Sequence, residues 1–230
     1  MLRALSLLTF IAVAGCDAFS EADPAWTRAG AVATFDYAPG PDSLKTHGPV
    51  PQPLYRAVPA GERALEMVVV ASANWRRTDR HVEWRDAGAS AHPYPQFHPD
   101  VPLPLFDDDI EVVEDGVAVV VDVDCYGGGW LGGGSSGRLS YVRVPNQAGT
   151  VQTYGNCERS SDLTTVTSSA SGPETVTVPA GTFSAIRVES PIYAGGTLVE
   201  WWSWEVGLVR LDALNEAGVL RGRFVRSAGG

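Results

Sequence analysis

Residues 110–123, IEVVEDGVAVVVDV, decide the fold class. Two runs rich in Val and Ile, 110–114 and 117–123, flank Asp115-Gly116. An Asp-Gly pair between such runs predicts a two-residue type I′ hairpin turn. In the second arm Val117, Val119, Val121 and Val123 share one face, because side chains alternate along a strand. Ala118, Val120, Asp122 and Asp124 share the other. One face is apolar and the other half-polar, as in an antiparallel sheet with one wet side.

The same character extends outward. Upstream, AVATFDY (31–37), ALEMVVVASANW (64–75) and HVEW (81–84) read as strands. Downstream, strands are expected at 138–144, 163–169, 174–178, 182–190, 197–204, 207–214 and 219–226. Pro179-Ala180-Gly181 and the NEAG stretch at 215–218 supply turns. Residues 86–107 read as a loop, since Pro93, Pro95, Pro99, Pro102 and Pro104 cannot donate to a ladder. The glycine tract at 127–137 reads as another. No long stretch carries the 3.6-residue period of an amphipathic helix. The expected fold is all-β: one antiparallel domain over residues 31–230.

The C-terminal stretch ETVTVPAGTFSAIRVES…WWSWEVGLVRLD, within 174–226, resembles a pattern in uncharacterised bacterial envelope proteins. There a strand ends at a PAGTF turn, and an aromatic strand leads into a Gly-Leu-Val strand. The resemblance implies a curved antiparallel sheet, a half-barrel or barrel-like form similar to the open half-barrels of lipoprotein carriers. It brings no catalytic residues with it.

The chain begins MLRALSLLTFIAVAGCDAFSEAD. Arg3 precedes an apolar run at 4–14, too short for a bilayer-spanning helix of about 20 residues and suited to a signal peptide. Ala12-Val13-Ala14 offers a site for ordinary signal peptidase. Val13-Ala14-Gly15-Cys16 resembles the lipobox of bacterial lipoproteins. That resemblance implies a signal peptide at 1–15 and a diacylglycerol on the Cys16 thiol. It also implies a domain held by its lipid to the membrane of the bacterial cell envelope. Several acyl chains hold a soluble domain where one does not, each buried CH₂ contributing about 0.8 kcal/mol. Asp17 resembles an inner-membrane retention signal of enterobacterial lipoproteins. Residues 16–30 read as a tether.

With Cys16 lipidated, Cys125 and Cys157 remain. An oxidising compartment and even parity favour a bridge between them; two free buried thiols are the other reading. The formal charge is −10, and Lys45 is the one lysine. Phosphate-backbone binding relies on clustered Lys and Arg, so nucleic acid is not an expected partner. Nor is electrostatic adhesion to anionic lipid heads expected.

No stretch names a reaction. Gly133-Gly134-Ser135-Ser136-Gly137 matches the hydrolase elbow G-x-S-x-G, but a strand follows where that motif needs a helix. The tract also lacks the Gly-Lys-Ser/Thr of a P-loop. Asp122-Val123-Asp124 begins like a calcium loop, yet Tyr126 and Gly133 stand where ligands are required. His92, His98 and Asp100 are a zinc-like set at a spacing that fits no standard element. Glu174, Glu189 and Glu200 read as solvated carboxylates. No catalytic residue, metal or cofactor is assigned.

The tryptophans are the distinctive side chains. Alternation places Trp202 and Trp204 on one face of their strand and Trp201 on the other. Indoles on both faces leave two readings open, a core filling and a groove for an apolar or sugar ligand. Trp130, between glycine triplets, is a second apolar spot of the kind that marks contact sites. Three functions follow. One is a lipid-anchored, non-catalytic binding module for an apolar, lipid or glycan ligand or another envelope protein. Another is a structural lipoprotein without a small ligand. The third is an exported hydrolase using Ser135 or a metal at His92 and His98.

Overall fold

The computed structural model describes residues 23–41, 63–71, 80–86, 108–125, 135–156, 164–191 and 196–228. A 3-10 turn (Ala25–Thr27) precedes twelve strands. The first six are β1 (Val32–Pro39), β2 (Arg63–Ala71), β3 (Arg80–Asp86), β4 (Asp108–Val113), β5 (Gly116–Cys125) and β6 (Ser135–Pro145). The second six are β7 (Gly149–Asn156), β8 (Thr164–Val178), β9 (Gly181–Pro191), β10 (Thr197–Ser203), β11 (Gly207–Leu214) and β12 (Leu220–Arg226).

All twelve form one antiparallel sheet in the order β6-β5-β4-β3-β2-β1-β12-β11-β10-β9-β8-β7. Every neighbour pair but one is consecutive in sequence; the exception is β1 with β12, which joins the two halves of the meander. The edge strands β6 and β7 follow each other across residues 146–148. The two ends of the sheet therefore meet at a turn, and the sheet curls into a nearly closed barrel. Among the described residues no ladder pairs β6 with β7. Near-closure of this kind turns the two edge strands toward each other instead of leaving them at the far ends of an open sheet.

Strand alternation fills the interior. Phe35 and Tyr37 of β1, Met67 and Val69 of β2, Val82 and Trp84 of β3, and Ile110 of β4 point inward. So do Val117 and Val119 of β5, Val188 of β9, Leu198 and Trp202 of β10, Leu211 of β11 and Phe224 of β12. Val117 and Val119 share the core face, as alternation requires. Ala118 and Val120 are also buried, at 1% and 4% exposure, so that part of the outer face is not wet.

The structure moves the hairpin turn by one residue. Val113 pairs with Gly116, so Glu114 and Asp115 form the loop. Gly116 has φ +148°, and a Cβ there would lie 2.1 Å from the Val144 carbonyl oxygen. The glycine serves the close approach of β6 rather than the centre of the turn. β7, with Gln152 and Asn156 and little apolar alternation, was not expected from the sequence. The runs at 163–169 and 174–178 are one strand, β8, whose ladder with β9 skips Gly172 and Pro173. A proline inside a strand is tolerated at such an irregularity.

A second apolar cluster lies on the outer face. The far half of the β8–β9 hairpin folds back over β10 and β11, packing Val176, Val178 and Ala185 against Val199, Trp201 and Val209. Its tip is tied across the sheet: the Ala180 N–H donates to the Arg226 carbonyl at 3.2 Å.

Candidate functional site

The described cavity lies at one end of the barrel. Its volume is about 270 Å³, and it is lined by Trp26, Ala33, Met67, Glu205, Val206 and Arg226, among others. Trp26 closes one side. It belongs to the 3-10 turn and is 5% exposed. Its ring meets Trp202 at 5.4 Å between centroids and an interplanar angle of 35°. Gly207 makes room for it: φ is +82°, and a Cβ would come within 2.9 Å of the Trp26 ring.

Residues 23–30 are thus not free tether, as the sequence suggested. Asp23 Oδ2 accepts from Arg80 Nη2 at 2.8 Å. The Thr27 hydroxyl accepts from Arg80 Nη1 at 3.2 Å and donates to the Pro24 carbonyl at 2.8 Å. The Gly30 N–H donates to the Val69 carbonyl at 2.7 Å. Packing of Trp26 into the barrel mouth is the physical reason, and the indole in an otherwise small and polar stretch was the signal for it.

Arg226 forms the charged part of the wall. It ends β12 opposite Phe35. Its Nη1 donates to the Val206 carbonyl at 2.5 Å and the Leu208 carbonyl at 3.3 Å. Burial lowers its pKa, since a low-dielectric setting disfavours the charged form.

A second polar cluster lies deep inside. The β5–β6 ladder pairs Val117 with Val144 and Ala118 with Val142, leaving Arg143 as a bulged residue. A bulge re-aims a side chain, and Arg143 turns into the protein beside Val144. Its Nη2 lies 2.6 Å from Glu200 Oε2 on β10, and its Nη1 donates to Ser190 Oγ on β9 at 2.9 Å. Ser190 Oγ and Ser168 Oγ on β8 are 2.7 Å apart. One guanidinium on β6 thereby reaches strands beyond the seam, where no ladder runs among the described residues. Glu200, expected in solvent, is fully buried. Burial pushes its carboxyl up to about 7, against the opposing pull of Arg143 and the neighbouring Trp202.

On the outer face Trp201 is 8% exposed. The Arg210 guanidinium stands 4.4 Å from its ring centroid and that of Arg187 at 5.8 Å. Its N–H donates to Glu174 on the folded-back hairpin. Asp212 accepts from Arg223 at 2.6 and 2.7 Å and from Arg210. Burial opposes the charge of Asp212, but those hydrogen bonds outweigh it and hold its carboxyl below the usual range.

Of the ligand-binding tryptophans expected from sequence, Trp202 and Trp204 lie among the described residues. Trp202 is 1% exposed and belongs to the core, while Trp204 is partly buried against that core at the β10–β11 turn. Cys16, Trp130, Cys157, His92, His98 and Asp100 lie outside the described residues. Cys125 ends β5 and Ser135 begins β6. His81, which stood alone in the sequence, faces Asp109 across the β3–β4 ladder, Nδ1 to Oδ1 at 3.1 Å. Among the described residues no group of three His, Cys, Asp or Glu could hold a metal ion.

No protein-family model matches the chain, and no curated protein does. A solved structure described as a "putative lipoprotein" from Parabacteroides distasonis aligns over 88% of this chain and 95% of that chain. The identity is 13% and the TM-score 0.33.

Proposed function

We propose that the protein is a lipid-anchored component of the bacterial cell envelope whose barrel binds a small apolar ligand and catalyses no reaction. The anchor reading is supported by Val13-Ala14-Gly15-Cys16 after a short apolar run. The binding reading is carried by the cavity at the barrel mouth, whose wall combines Trp26, Ala33, Met67 and Val206 with few polar groups. Ligand sites are concave and mainly apolar, with a small number of placed polar groups.

Trp26 reports on this site. Titrating the purified protein with short-chain amphiphiles should shift tryptophan emission saturably, and Trp26→Ala should abolish the shift. Mass spectrometry of material extracted from the purified protein should identify an apolar molecule. An unresponsive emission together with an empty extract would sink the binding reading. The structural-lipoprotein reading would then stand, favoured by the burial of Trp202 in a filled core.

A further inference from the structure

We propose that the cavity takes an amphiphile with an anionic head, and that Arg226 receives the head. This rests on the binding reading above and narrows its ligand class. Arg80, Arg143, Arg187, Arg210 and Arg223 each pair with a carboxylate. Arg226 does not pair with one among the described residues. Its Nη1 is engaged by two backbone carbonyls, which fixes the guanidinium at the cavity wall. Nε and Nη2 have no acceptor among the described residues.

A partly buried cation without a counter-charge is an unfavourable arrangement. An incoming carboxylate relieves it and gains charge-assisted hydrogen bonds in the planar geometry that arginine presents. Glu205 lines the same cavity but is exposed, so it sits toward solvent and opposes an anion. Beyond Arg226 and Glu205 the wall is formed by Trp26, Met67, Val206 and four small or apolar neighbours. The volume of about 270 Å³ lies at the small end of ligand sites, which fits one short acyl chain rather than a diacyl lipid.

Octanoate and 1-octanol separate the head from the tail, because the two differ in charge at equal length. Both are titrated into the wild-type protein and followed by tryptophan emission and calorimetry. Octanoate is expected to bind at least about tenfold more tightly, the difference of one charge-assisted contact. Arg226→Gln should erase that preference while octanol binding persists, and Glu205→Gln should tighten octanoate alone. Thermal melts of Arg226→Gln establish that it folds; if it does not, the wild-type preference and Glu205→Gln still decide. Equal binding of the two ligands, or a preference that survives in folded Arg226→Gln, overturns the anionic-head assignment and leaves the apolar site standing. Binding of neither overturns both.

Discussion

Arg143 Nη2 on β6 and Glu200 Oε2 on β10 meet at 2.6 Å inside the barrel, across the seam where no ladder runs among the described residues. Removing either partner strands the other in a low-dielectric interior. Breaking a buried pair typically costs about 3–5 kcal/mol. Arg143→Met should show a loss of that size in urea unfolding at pH 8. Arg143→Met combined with Glu200→Leu should recover most of it, because two apolar side chains carry no unpaired charge.

Glu200 also sets a pH dependence. Its carboxyl is raised from 4.5 to about 7 in the folded protein. The folded state therefore binds a proton that the unfolded chain releases between those values. The contribution is fully present below pH 4.5 and is lost as pH rises through about 7. It amounts to about 3 kcal/mol at most. Glu200→Gln should flatten the stability profile over that window. A wild-type profile already flat between pH 5 and 8 would contradict the assignment. Asp212 acts in the opposite sense, its stabilisation fading as pH falls through its lowered pKa.

The two adjacent indoles of β10 should respond differently. Trp202→Ala empties a packed core position, and such truncations cost about 3–5 kcal/mol. Trp201→Phe keeps an aromatic ring, though a smaller one, and deletes the N–H that donates to Glu174; about 1.5–3 kcal/mol is expected for that hydrogen bond to a charged group. Denaturant midpoints of the two variants give the comparison. Equal losses would mean that the outer cluster is as closely packed as the interior.

Gly207→Ala tests the seat of Trp26. The added Cβ meets both a positive φ and the indole. A loss of at least about 1 kcal/mol is expected from backbone strain alone. Displacement of Trp26 should appear as red-shifted emission.

Replacing Cys16 by Ser should release the protein from the membrane fraction and change its electrophoretic mobility. Thiol labelling of the unfolded, unreduced mature protein should find Cys125 and Cys157 blocked. Persistent membrane association in Cys16→Ser would argue against acylation there.

Much of the architecture was legible. The Val alternation at 117–119, the PAGTF turn and the NEAG turn all led to strands and reversals where the structure has them. Asn215 even supplies the turn's acceptor, taking the N–H groups of Ala217 and Val219 at 2.9 Å. The candidate site was far less legible. Alternation explains why Trp201 and Trp202 face opposite ways, but only tertiary structure shows that the protein's own hairpin covers the outer one. Arg143 turns inward through a bulge, and a bulge breaks the period from which facing is inferred. Glu200 looked solvated because its partner lies 57 positions away in sequence. The small and polar neighbours of Trp26 read as a tether, although its own side chain argues for docking.

The pairing of β1 with β12 fixes an order of events. β1 through β5 each pair with the next strand in sequence, yet the free side of β1 waits for a partner nearly two hundred residues downstream. Contacts of such separation close slowly, because the loop entropy is lost before they form. Until β12 arrives, β1 presents an unpaired edge, the kind of surface that recruits other chains. Arrival of β12 covers that edge and joins the two halves of the sheet in one step.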